Sequence, residues 1–221
     1  MSTAAGAELS ALLLCGAACT LVLVVADRLH RAGLDAERSR KLVHTLMGLA
    51  AASFPWFFRD PRSVLALCAL FAVLLGGGRS WRRLAAVHAV GRRTAGAVWF
   101  PVAVAIVFLA AERPAHYVLA VLVLTLADPA AALVGRAYGR HLYRVGDGCK
   151  SVEGSLAFFG AASVTIAAGL ALTTPLSLPS VVVWAGVMGG LLAAVEAAAP
   201  AGSDNVLVPV GTLLLLRGAG A

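Results

Sequence analysis

Four small groups of ionisable residues interrupt an otherwise apolar chain, and each has a spacing suited to phosphate or cation chemistry. The first is Arg40-Lys41-x-x-His44. Residues three and four apart share a helix face, so these side chains predict a cationic wall for phosphate, with His44 as proton donor or base. The same residues also suit a juxtamembrane anchor. The second group is Asp128-Pro129, deep in an apolar run. Proline lacks an N–H and disfavours α geometry in the residue before it, which predicts a helix broken near Asp128. Asp128 then either caps the next segment or offers a carboxylate beside unwound backbone, where cations bind.

The third group, Asp147-Gly-Cys-Lys150-Ser151-x-Glu153-Gly154-Ser155, opens another apolar run. Ser151 predicts an N-cap, with Glu153 in the first turn, where the helix dipole favours an acid. A helix N-terminus carrying Gly, Ser and Lys is equally a phosphate site, although the GxxxxGK[ST] loop is absent. The fourth group is Glu196, followed by Pro200-Ala-Gly-Ser-Asp204-Asn205. Asp204 and Asn205 suit a turn and a cap, but these acids also suit Mg²⁺, which takes a few carboxylates plus phosphate oxygens. The basic residues comprise 16 Arg and only 2 Lys. Both lysines, Lys41 and Lys150, fall in these groups, where a compact ammonium differs from a guanidinium. The four cysteines form no metal or redox pattern: Cys15, Cys19 and Cys68 lie in apolar runs, and Cys149 is alone in a polar loop.

The elements that must position these residues follow from composition. The 221 residues are 60% hydrophobic and 13% charged, with a mean hydropathy of +0.88, against ~25% charged in a soluble domain. That excludes an ordinary soluble fold, a disordered chain and a basic nucleic-acid-binding domain. The expectation is an all-α, polytopic transmembrane helix bundle of about 7–8 spans, one integral membrane domain over 1–221. Apolar runs at 7–26, 42–58, 63–75, 95–111, 115–134, 154–172, 181–199 and 206–216 mark the spans. Those at 63–75 and 206–216 are short enough to be tilted, re-entrant or packed inside the bundle. The first run reads as a retained span, since residues 1–10 hold one acid, Glu8, and no Arg or Lys. Between spans three and four, Arg79, Trp81, Arg82, Arg83, Leu84 and Val87 predict a short amphipathic interfacial helix. Gly135-x-x-x-Gly139 predicts close helix approach.

Charge orients the bundle. Of the 18 basic residues, 14 lie in the loops 27–41, 76–94 and 135–153. The positive-inside rule puts those loops in the cytoplasm, together with the last loop, and both termini outside. The formal net charge of +7 then reflects orientation and anionic lipid rather than nucleic acid. All four ionisable groups share that cytoplasmic face, which predicts a nucleoside triphosphate site with Mg²⁺.

With these residues assembled, the sequence resembles the polyprenol kinase family, which includes dolichol, phytol and farnesol kinases and the yeast-type CTP-dependent diacylglycerol kinase. The resemblance runs from residue 40 to residue 209, on RKLVH (40–44), DPAAALVGRAYGR (128–140), KSVEGSLAFF (150–159) and DNVLVP (204–209). A more distant likeness is to CDP-diacylglycerol synthases. Two departures stand at the middle motif: Ala127, where the family often has Gly, and Pro129.

The resemblance implies CTP as phosphoryl donor, a divalent cation such as Mg²⁺, and a membrane lipid alcohol as acceptor: phytol, farnesol, a polyprenol or diacylglycerol. It implies catalytic roles for Asp128, Lys150, Glu153 and His44, and nucleotide binding by Arg40, Lys41, Arg136, Lys150, Ser151, Gly154, Ser155 and Asn205. Asp128, Asp204 and Glu196 are the expected metal ligands. The expected setting is a prokaryotic cytoplasmic membrane with the active site facing the cytoplasm. Two alternatives stay open: a CTP:phosphatidate cytidylyltransferase and a non-catalytic membrane transporter.

Overall fold

The computed structural model describes residues 3–78, 96–146, 148–200 and 202–219. The expected interfacial helix at 79–93, and Asp147, lie outside the described residues. Helix α1 spans Thr3–Arg31, α2 Ala36–Ala52, the single turn α3 Phe54–Phe57, and α4 Pro61–Gly78. Then come α5 (Gly96–Ala110), α6 (Pro114–Tyr138), strands β1 (Leu142–Val145) and β2 (Gly148–Ser151), α7 (Val152–Thr173), α8 (Leu178–Ala198) and α9 (Asp204–Gly218). This is the all-α membrane bundle expected. Helices α1, α6, α7 and α8 are long and apolar enough to cross a bilayer, while α4 and α5 are shorter apolar helices.

The second helix begins earlier than its apolar run. Asp35 caps it, accepting a bond from the Arg38 amide at 3.2 Å, so Arg40, Lys41 and His44 sit inside the helix rather than at its entrance. It stops at Ala52, because Ser53 and Pro55 start α3 instead of continuing to residue 58. The helix expected to break near Asp128 does not break. Helix α6 runs through Asp128-Pro129 to Tyr138, its N-cap is Arg113, and Asp128 and Pro129 are both buried within it. A proline removes one backbone bond, but α2, α7 and α9 pack against α6, and the helix continues through that defect. Within the expected loop 135–153, after α6 ends at Tyr138, lies a short antiparallel hairpin, with Tyr143 opposite Lys150 and Leu142 opposite Ser151.

Helix α6 joins the two halves of the core. Tyr117, Ala120 and Val121 pack with α1, α2, α4 and α5; Leu124, Ala127 and Ala131 pack with α7, α8 and α9. Along its contact with α2 runs a ladder of antiparallel partners. Lys41 meets Asp128, and His44 meets the Leu124 carbonyl at 3.4 Å. Gly48 lies against Thr125, and the Ala51 carbonyl accepts from the Tyr117 hydroxyl at 2.7 Å. Positions 41, 44, 48 and 51 are one helical stripe at alternating spacings of three and four. On the other side of α6, Gly135 and Gly154 let α7 approach closely, since a Cβ on Gly154 would stand 2.9 Å from the Ala131 carbonyl.

Gly48 is the tight rung: a Cβ there would meet Thr125 Oγ1 at 2.0 Å. Gly48→Ala is therefore expected to cost about 1–3 kcal/mol by overpacking, read as a lowered Tm in detergent. Adding Thr125→Ala removes the two nearest atoms and restores part of the loss.

Candidate functional site

The ladder brings the first two ionisable groups together. Lys41 Nζ bonds Asp128 Oδ2 at 2.5 Å, and His44 Nε2 lies 3.6 Å from the same oxygen. Lys41 is only 4% exposed and Asp128 9%, so both charges depend on each other for compensation. Arg40 is held one turn back by Glu37, through bonds of 2.5 Å and 3.2 Å, within electrostatic reach of Asp128 and Asp204.

The third and fourth groups form the facing half. Strand β2 carries Lys150 to the C-terminal end of α8, where its ammonium bonds Glu196 Oε1 at 2.7 Å and also the Glu196 carbonyl. Asp204 Oδ2, at the start of α9, stands 3.9 Å away. Asp204 is in turn within electrostatic reach of Asp128 and Lys41, which joins the two halves into one cluster. Glu196 Oε2, Ser203 Oγ and Asn205 Oδ1 are buried without a hydrogen-bond partner. Asn205 reaches back through its amide nitrogen to the Gly202 carbonyl at 3.2 Å, as expected of a turn residue.

Other expected site residues lie around this cluster rather than in it. Ser151 caps α7, accepting from the Gly154 amide at 3.1 Å, with Glu153 in the first turn as its position implied. Glu153 faces His141, accepting at 2.7 Å from Nδ1 and at 3.3 Å from the backbone. The acids that orient Lys150 are thus Glu196 and Asp204. Ser155 shares a 2.6 Å bond with Tyr143 of β1. Arg136 clamps Asp35 bidentately at 2.5 and 2.9 Å, tying the end of α6 to the start of α2 at the exposed rim. That guanidinium, with the Arg38 amide, holds the Asp35 carboxyl below its usual range. Sequence reasoning missed Asp35, Glu37, His141 and Tyr143. Of these, Glu37 was signalled by its i,i+3 spacing to Arg40.

Among the described residues no three His, Cys, Asp or Glu side chains form a ready cation cage. Mg²⁺ does not need one, since it takes one or two carboxylates and completes its shell with water and phosphate. The donor set here is hard oxygen, and two buried oxygens, the Glu196 carboxylate Oε2 and the Asn205 amide Oδ1, are unpartnered. The residues therefore fit an ion brought in with a phosphate chain.

The family model described as the cytidylyltransferase family matches residues 6–201. A phytol kinase from Synechocystis sp. is 30% identical over 200 residues, covering 88% of this chain and 84% of that protein. No solved structure matches the chain.

The Lys41–Asp128 pair generates a test of the site's construction. Lys41→Met leaves a buried carboxylate alone and is expected to cost about 3–5 kcal/mol. The double variant Lys41→Met/Asp128→Leu should regain most of that stability, because neither charge then stays buried. Thermal unfolding of the four proteins in detergent completes the double-mutant cycle.

Proposed function

The chain belongs to the cytidylyltransferase family, and from that premise we propose that it is a CTP-dependent kinase that phosphorylates the hydroxyl of a membrane lipid alcohol. The observation that carries this reading is the convergence of both lysines of the chain with Asp128, Glu196 and Asp204 in one cluster, buried at Lys41, Asp128 and Glu196 and half-buried at Lys150 and Asp204. Phosphoryl transfer needs charge neutralisation and in-line positioning more than covalent chemistry. A cluster of compact cations and hard carboxylates in a membrane bundle supplies both. The phytol kinase relative adds the lipid alcohol as acceptor class, and the family description adds the cytidine nucleotide.

In this mechanism Lys41, Arg40 and Lys150 bind the triphosphate, with the amides at the start of α7 beside them. Asp128, Asp204 and Glu196 would hold Mg²⁺. When bound, that ion neutralises charge on the phosphate oxygens. The lipid hydroxyl oxygen attacks the γ-phosphorus, the bond to the β–γ bridging oxygen breaks, and CDP leaves. His44 receives the hydroxyl proton. Two oxygens face its Nε2, so the ring hydrogen belongs there and the lone pair is left on Nδ1. Arg136 and Glu153 act as positioning residues, the first through Asp35 and the second through His141. The basic loops support a cluster that faces the cytoplasm, where CTP is.

A second reading follows from the family description itself: a cytidylyltransferase that joins CTP to phosphatidate. The products separate them. A kinase yields CDP and a lipid monophosphate, whereas a cytidylyltransferase yields pyrophosphate and a CDP-lipid.

Purified protein in detergent, given γ-labelled CTP and Mg²⁺, is expected to transfer label to at least one of phytol, farnesol, geranylgeraniol, undecaprenol or diacylglycerol. Release of labelled pyrophosphate with phosphatidate, and no labelled lipid, would select the second reading. Asp128→Asn should lower transfer per folded molecule by at least about 100-fold, on top of the stability lost by leaving Lys41 without its carboxylate.

A further inference from the structure

The first turn of α2 holds an acid that neither the ladder to α6 nor the cation ligands use. Glu37 stands three residues before Arg40 and four before Lys41, on the helix face that carries both. Its carboxylate grips the Arg40 guanidinium along one side: Oε2 accepts from Nε at 3.2 Å and Oε1 from Nη2 at 2.5 Å. Exposed ion pairs at this spacing contribute little. Here the two side chains are only 20% and 15% exposed. The contact is also bidentate, which fixes the plane of the guanidinium as well as its distance. The turn beneath is itself tied down, because Asp35 caps it and is clamped by Arg136 of α6. The helix dipole favours an acid at this position.

A guanidinium presents five donors, in a rigid fork. Glu37 takes the Nε/Nη2 edge, which leaves the Nη1/Nη2 edge to meet two oxygens of one phosphate. Arg40 also lies within electrostatic reach of Asp128 and Asp204. Released from Glu37, its long side chain would turn onto those carboxylates, and the phosphate arm and the acids would neutralise each other. We propose that Glu37 is a positioning residue: it holds Arg40 off the acids and presents the end of its fork to the polyphosphate. That the polyphosphate belongs to CTP rests on the lipid-kinase reading; the grip of Glu37 on Arg40 does not. The sign of the effect separates positioning from charge alone. A carboxylate beside a polyphosphate repels it, so charge alone predicts tighter binding when Glu37 is neutralised. Positioning predicts weaker binding.

The test titrates intact protein in detergent with magnesium tripolyphosphate, which has phosphates but neither base nor lipid, and reads Kd by calorimetry. Glu37→Gln should raise Kd about tenfold and raise KM for CTP alike, with KM for the lipid alcohol unchanged. Glu37→Asp keeps the charge but withdraws it by one methylene, so it should also weaken binding. Arg40→Lys keeps its charge and loses the fork; in that background Glu37→Gln should tighten binding, since only repulsion is then removed. Three results overturn the proposal: unchanged or tighter binding by folded Glu37→Gln, an equal loss from Glu37→Gln in both backgrounds, or no binding of tripolyphosphate by the wild type. Unchanged binding by Glu37→Asp overturns it even where Glu37→Gln does not fold. If Glu37→Gln weakens tripolyphosphate binding while the wild type transfers no phosphoryl group to any lipid alcohol, the kinase reading fails and the role of Glu37 stands.

Discussion

The ion pair between Lys41 and Asp128 is the constraint from which the rest of the bundle follows. Inside an apolar membrane bundle, a lone ammonium or carboxylate carries a desolvation cost that no single apolar contact offsets. Their 2.5 Å bond therefore admits only one rotation and one height of α2 against α6. Once that register is set, Gly48 must lie on Thr125 and Ala51 on Tyr117, and glycine becomes the residue that fits. Helix α6 also packs against α7 and α9, so the same register determines how Lys150 and Asp204 arrive.

The cluster is self-compensating before any ligand arrives. Lys41 leans on Asp128, Lys150 on Glu196 and Asp204, and Arg40 on Glu37. Such an arrangement lets cations and acids stand in one buried place without an isolated charge. In the proposed kinase, phosphate oxygens would take the ammonium groups and the freed carboxylates would hold the divalent cation. Glu196 Oε2 and Asn205 Oδ1 are buried beside these pairs without a hydrogen-bond partner.

Much of this was legible in the sequence, and the remainder shows where local rules stop. The shared face of Lys41 and His44 follows from helical spacing, and the N-cap at Ser151 from side-chain chemistry. The partner of Lys150 does not, because Glu196 is 46 residues away and only the tertiary fold brings it near. The proline rule at Pro129 was locally sound but was overridden by helices packed around α6. The hairpin went unseen because each strand is four residues long, too short for an alternation pattern to stand out. The α2–α6 ladder beyond His44 was equally hidden: Gly and Ala among apolar neighbours read alike whether they touch a helix or lipid.

That hairpin also settles where a charge is delivered. A strand turns successive side chains to opposite faces, so Cys149 is exposed while Lys150 turns toward Glu196 and Asp204. Gly146, at φ 56°, makes the turn that pairs Tyr143 with Lys150. Slip the pairing by one residue and the thiol of Cys149 faces the acids while the ammonium faces water. The placement of a single positive charge among Glu196 and Asp204 is therefore a matter of strand parity, decided at a left-handed glycine outside the bundle.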